Sequence, residues 1–181
     1  IAARATVDDD KPPAALWRLP VAGGEAVEVL ALPGGVNAVH AATAADRIVV
    51  TAPLMPSATT VEDDARLRTL RKHKKVSAIL HTRYPVRYWD HDLGPDQPHL
   101  LDAADARDLT PTPGDALRES GLAISADGSF AVTSWHAPGP GASIRGSLVR
   151  IDVATADRRV IAEDAAADLG NPAISPDGTR V

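Results

Sequence analysis

Three groups of residues carry side chains able to do chemistry. The first is Gly141-Ala142-Ser143-Ile144-Arg145-Gly146. A nucleophilic serine usually sits in Gly-x-Ser-x-Gly on a strand-to-helix elbow. Here the second glycine comes one residue late, the stretch is rich in Gly and Pro, and no helical pattern follows, so it reads as a loop between strands. Ser134, Trp135 and His136 likewise read as a strand end, and no catalytic residue is assigned. The second group is Asp90, His91, Asp92, Asp96 and His99. Carboxylate with imidazole suits a divalent cation, yet the spacing matches no metal motif and Pro95 and Pro98 mark a loop. Paired surface charge is the reading. Asp8-Asp9-Asp10 lacks the Gly and terminal Glu of a calcium-binding loop. No metal and no other cofactor is expected. The third group is Arg83, Tyr84, Arg87, Tyr88 and Trp89. Arginine offers a planar fork to a peptide carbonyl or carboxylate, and Tyr and Trp offer amphipathic faces. Both tyrosines and one of the three tryptophans fall in this short stretch. These five are the candidate substrate-binding residues, with packing as the alternative role for Tyr88 and Trp89. Trp17 and Trp135 lie on strands and read as packing residues.

The elements that position these groups follow a repeat. Ala123-Ile124-Ser125-Ala126-Asp127-Gly128-Ser129 recurs as Ala173-Ile174-Ser175-Pro176-Asp177-Gly178-Thr179, an offset of 50 residues (127 to 177). A degenerate copy reads Ala42-Thr43-Ala44-Ala45-Asp46-Arg47, with Arg in place of Gly. An apolar strand precedes each copy, and Asp-Gly makes a tight turn because Gly accepts positive φ. A second strand follows at Arg47 to Ala52 and at Ser129 to Trp135. Third strands fall at Leu16-Trp17-Arg18-Leu19, His99-Leu100-Leu101-Asp102 and Leu148 to Asp152. Fourth strands fall at Ala26 to Leu30, Arg107 to Thr110 and Arg158 to Ile161. Four short strands per unit of ~40–50 residues is the signature of propeller blades. The expected fold is therefore all-β, a partial β-propeller of four-stranded blades, with a β-sandwich as the competing topology. In this phasing Ile1 to Val7 is a second strand, and the chain holds two whole blades and parts of two more. It is expected to be a fragment of a longer polypeptide, whose missing blades pair with its open sheet edges; those edges also offer a route to homo-oligomers.

The first blade is interrupted between Pro56 and Pro98. Within this insertion a helix is expected from Val61 to Lys74, with Thr59 as N-cap and Glu62 completing a capping box. Glu62–Arg66 and Asp64–Arg68 are spaced to pair. Val76 to Leu80 reads as a short strand and Tyr84 to Asp92 as a loop. Insertions of this kind project from one propeller face, where binding is common.

Composition narrows the partners. The net charge of −5 argues against nucleic acid, whose binding rests on Lys and Arg releasing counterions. The basic run Arg66 to Lys75 has acidic partners at helical spacing and reads as a solvated face. No apolar run approaches the ~18 residues of a membrane span. The lack of cysteine leaves no disulfide framework or thiolate nucleophile and permits a reducing, cytoplasmic location.

Ser175-Pro176-Asp177-Gly178, preceded by small apolar residues, resembles propellers of the prolyl oligopeptidase family and of the Tol-Pal system. The stretch from Lys75-Val76-Ser77-Ala78-Ile79-Leu80 through Tyr84-Pro85-Val86-Arg87-Tyr88-Trp89 to Gly94-Pro95 resembles actinobacterial members of the former, the acylaminoacyl and dipeptidyl peptidases. The resemblance implies an N-terminal propeller that gates and contacts peptide substrates, and a following α/β-hydrolase domain that supplies a Ser-Asp-His triad. No triad residue falls in this chain, and no specificity residue transfers. The alternative is a non-enzymatic, Tol-Pal-like propeller that binds a protein or ligand partner.

Overall fold

The computed structural model describes residues 12–81 and 84–181. The expected strand at Ile1 to Val7, the acidic triplet Asp8 to Asp10, and Arg83 lie outside the described residues. In chain order the elements are β1 (Leu16–Arg18), β2 (Val27–Leu30), β3 (Ala38–Ala41), β4 (Ile48–Leu54), α1 (Val61–His73), β5 (Gln97–Asp102), β6 (Leu122–Ile124), β7 (Phe130–Pro138), β8 (Ile144–Asp152) and β9 (Arg158–Ala162). Strands take 32% of the described residues and helices 10%, so the protein is β-rich. The strands form three antiparallel sheets, in the orders β1-β2, β3-β4-β5 and β6-β7-β8-β9.

The turns explain why the sheets start where they do. The Asp127 carboxylate accepts from the Ser125 hydroxyl (2.7 Å), the Ser129 N–H (3.0 Å) and the Ser129 hydroxyl (2.8 Å). Gly128 takes a φ of 71°, which a Cβ disfavours, and Ser125 N–H closes the hairpin on Phe130 O at 2.9 Å. The later copy repeats this: Asp177 accepts from Ser175 (2.6 Å) and the Thr179 N–H (3.1 Å), and Ser175 N–H reaches Arg180 O at 3.0 Å. In the first copy the equivalent closure runs from Ala42 N–H to Arg47 O at 2.9 Å. That register aligns Ala44, not Asp46, with Asp127. The turn lacks the Ser–Asp clamp and is held instead by Ala44 N–H on Ala126 O of the next turn (2.7 Å).

The fourth strand expected at Arg107 to Thr110 is reduced to one bridge, Leu101 with Asp108. The Asp108 side chain is the reason. One oxygen accepts the Thr110 N–H (2.8 Å) and the other meets His99 Nδ1 (2.9 Å), which turns the backbone out of the ladder.

Side-chain alternation sorts the core into two layers. Val50, Ala52 and Leu101 pack with Leu16, Leu32 and Val36 on the β1–β2 side. Val49 and Leu100 pack with Val149, Ile151 and Val153 on the β6–β9 side. The middle sheet is thus covered on both faces, and its central strand β4 reads as a near-continuous apolar run. Each fully buried Val, Leu or Ile contributes about 1.5–3 kcal/mol. First strands of consecutive sheets also meet, β3 against β6. Among the described residues the β1–β2 sheet is covered on its Leu16 side, and Trp17, which points the other way, is 41% exposed.

Candidate functional site

The insertion is built on α1. Its N-cap is Thr60, whose side chain accepts the Asp63 N–H at 3.1 Å, one residue later than the expected Thr59. Thr59 instead donates to Asp63 Oδ2 at 2.7 Å. Three acidic residues in the first turn and three basic ones in the last suit the helix dipole. Asp64–Arg68 pairs as the spacing requires (2.7 Å), but Arg66 takes Asp63 (3.2 Å) rather than Glu62. The buried residue of α1 is Asp64, so a polar network seats this helix where an apolar stripe would ordinarily do so. Asp64 accepts from Met55 N–H (2.7 Å). Arg68 donates to Asp64, to Asp96 (3.0 Å) and to the Pro53 carbonyl (2.9 Å). The network ties α1 to the end of β4 and to the approach to β5. Charges removed from water require such full pairing.

After α1 the expected strand Val76 to Leu80 is absent; these residues pair with no strand. The expected loop at Tyr84 to Asp92 is in part a small hairpin. Arg87 bridges Asp92, Leu93 N–H donates to Val86 O (3.1 Å), and Tyr88 N–H donates to His91 O (2.9 Å). The Tyr88 and His91 rings meet edge-on at 5.6 Å. Trp89 occupies the tip and is 95% exposed, so packing is not its role. Arg87 is exposed, and its nearest charged partner is Asp92 at 3.5 Å.

The hairpin overlooks a cleft of about 540 Å³. It is lined by Tyr84, Pro85 and Tyr88 of the hairpin, by residues of the 112–119 loop, by Trp135 and His136 of β7 and by Arg158 of β9. Arg158 stacks on Trp135 at 3.9 Å. Arg118 in that loop is held by Asp115 (2.5 Å) and by the Asp96 carbonyl (2.6 Å). A second cleft, of about 310 Å³, opens on the β3 side and shares Tyr88, Arg118 and Glu119 with the first. It also touches His40, whose pKa is lowered by burial. Burial pushes the Tyr88 phenol up, and the nearby Glu119 carboxylate adds to the rise.

Of the five sequence candidates, Tyr84 and Tyr88 line the larger cleft, Arg87 and Trp89 do not, and Arg83 is not described. Sequence reasoning missed Arg118, Glu119 and Arg158, read Trp135 as a packing residue and read His136 as part of a strand end. A signal existed for Trp135 and His136: polar and aromatic residues at the end of an otherwise buried strand. None existed for the 112–119 loop, whose place depends on its fold-back between two sheets.

The other two groups separate. The Ser143 hydroxyl donates to the Pro140 carbonyl (2.9 Å) and follows a short 3₁₀ turn that leads into β8, not into a helix. Asp90 pairs with His91 (2.7 Å), Asp92 with Arg87, Asp96 with Arg68 and His99 with Asp108. His99 is buried, and Nε2 has no partner; donation from Nδ1 to Asp108 leaves Nε2 as a bare acceptor.

No family model matches this chain, and no curated protein matches it.

Proposed function

We propose that this chain is a run of consecutive propeller blades whose cleft binds peptide for a hydrolase domain of the same polypeptide, as the resemblance to prolyl oligopeptidases implies. The blade reading is supported by the middle sheet, which carries an apolar layer on each face, and by the contact of first strands β3 and β6. A sandwich pairs two sheets across one core, whereas here one sheet lies between two cores. The outward-facing Trp17 is then the seat of a preceding sheet.

The binding reading rests on one observation: the insertion folds back so that Tyr84 and Tyr88 line one cleft together with Trp135 and Arg158. Aromatic walls with a few fixed polar groups suit a peptide backbone and its side chains. The role is recognition and gating. The serine nearest to a nucleophile motif, Ser143, has a backbone carbonyl as its partner and no base beside it among the described residues.

Two measurements test this. Tryptophan fluorescence, followed during titration with short peptides, is expected to saturate and to weaken about tenfold or more in Tyr88→Ala. No response to any peptide counts against the cleft. The gene downstream of Val181 is expected to encode a Gly-x-Ser-x-Gly elbow; a stop codon or further repeats there favours the non-enzymatic alternative.

A further inference from the structure

Once the Asp115–Arg118 ion pair is removed, the larger cleft keeps the charges of Arg158, Glu119 and Asp168, a net of −1. Asp115 is taken by Arg118 (2.5 Å). Arg118 is also held by the Asp96 carbonyl, and Arg158 lies on the Trp135 ring. Asp168 accepts the Gly146 N–H at 2.9 Å. Among the described residues the Glu119 carboxylate has no hydrogen-bond or ion-pair partner. It stands where the two clefts meet, beside the Tyr88 phenol. Its backbone holds a φ of 54°, and Thr112, on the same cleft, holds 55°. Side chains other than glycine rarely adopt this conformation, and such residues concentrate at ligand sites.

An unpaired carboxylate next to aromatic faces is the arrangement that receives an alkyl cation: the charge meets the carboxylate, and the stem lies on the rings. We propose that Glu119 receives a lysine or arginine side chain of the bound peptide, so that the cleft selects basic peptides. The proposal rests on the peptide-binding reading above. It is independent of any free peptide terminus, because the exposed Glu119 carboxylate at the cleft is enough to meet a side-chain cation.

The test uses two alanine pentapeptides, acetylated and amidated so that neither terminus is charged. One carries a central arginine, and the other carries citrulline, its neutral near-isostere. Calorimetry on the full chain is expected to show the arginine peptide binding about tenfold tighter or more, the range for a hydrogen bond to a charged group. That preference is expected to vanish in Glu119→Gln, with a cooperative thermal transition showing that the variant is folded. Equal binding of the two peptides to the native chain, or a preference that survives in Glu119→Gln, overturns the charge selection and leaves the cleft reading standing. Failure of both peptides to bind overturns the cleft reading with it.

Discussion

The β6–β9 sheet and the insertion between Pro56 and Pro98 are held together in opposite ways. In the sheet, local and long-range forces agree. An Asp–Ser clamp sets the turn, alternation sets the faces, and Ile151 and Val149 end in a shared core at 0% and 1% exposure. In the insertion, α1 is seated by an ion network around Arg68, the chain from Val76 to Leu80 joins no strand among the described residues, and the hairpin lifts Trp89 into solvent. The sheet uses its apolar residues for packing. The insertion leaves several exposed, and places two of its aromatic residues at a cleft that the sheet also lines. Regular repeats supply rigidity, and the irregular element supplies aromatic lining to the candidate cleft.

The contrast is sharpest in a core truncation. Ile151→Ala is expected to cost about 2–5 kcal/mol, as large-to-small changes at buried sites do. Trp89→Ala is expected to stay within about 0.5 kcal/mol, as for surface positions. Urea unfolding of both variants measures the gap, and similar losses would mean that the hairpin tip is packed.

Within the repeat, the two Asp-Gly turns are not equally tolerant. A Cβ on Gly128 would lie 2.6 Å from Arg47 Cβ, while one on Gly178 would meet only the Phe130 ring at 3.8 Å. Both substitutions carry the left-handed penalty of roughly 1–2 kcal/mol. Gly128→Ala is therefore expected to destabilise more than Gly178→Ala, by thermal or urea melts. Equal losses would show that Arg47 yields.

The smallest effect is electrostatic. Hydrogen bonds from Ser125 and then Ser129 hold the Asp127 carboxyl down to about 2 from 3.8. A depressed folded pKa gives a contribution that is present above the unfolded value and is lost as pH falls from about 4 through about 2. NMR titration of the Asp127 side-chain carbon is expected to show a midpoint near 2, rising toward the ordinary value in Ser125→Ala. A native midpoint near 4 would mean that the clamp does not hold the carboxylate in solution.

The sequence alone carried most of the described strands, the two clamped turns, the position of α1 and the Asp64–Arg68 pair. Each depends on residues within a few positions of one another: a Gly that tolerates positive φ, an apolar alternation, charges one helical turn apart. It misled where the local cue was degenerate. Asp46 resembled the turn Asp, but backbone closure at Ala42 and Arg47 set a different register. The strand expected at Arg107 to Thr110 yielded to the Asp108 side chain. Only the tertiary structure decided the site. Tyr88, Glu119, Trp135 and Arg158 belong to four separate segments, and no spacing along the chain encodes their meeting. Their convergence follows from stacking one sheet on the next and folding the insertion across the junction.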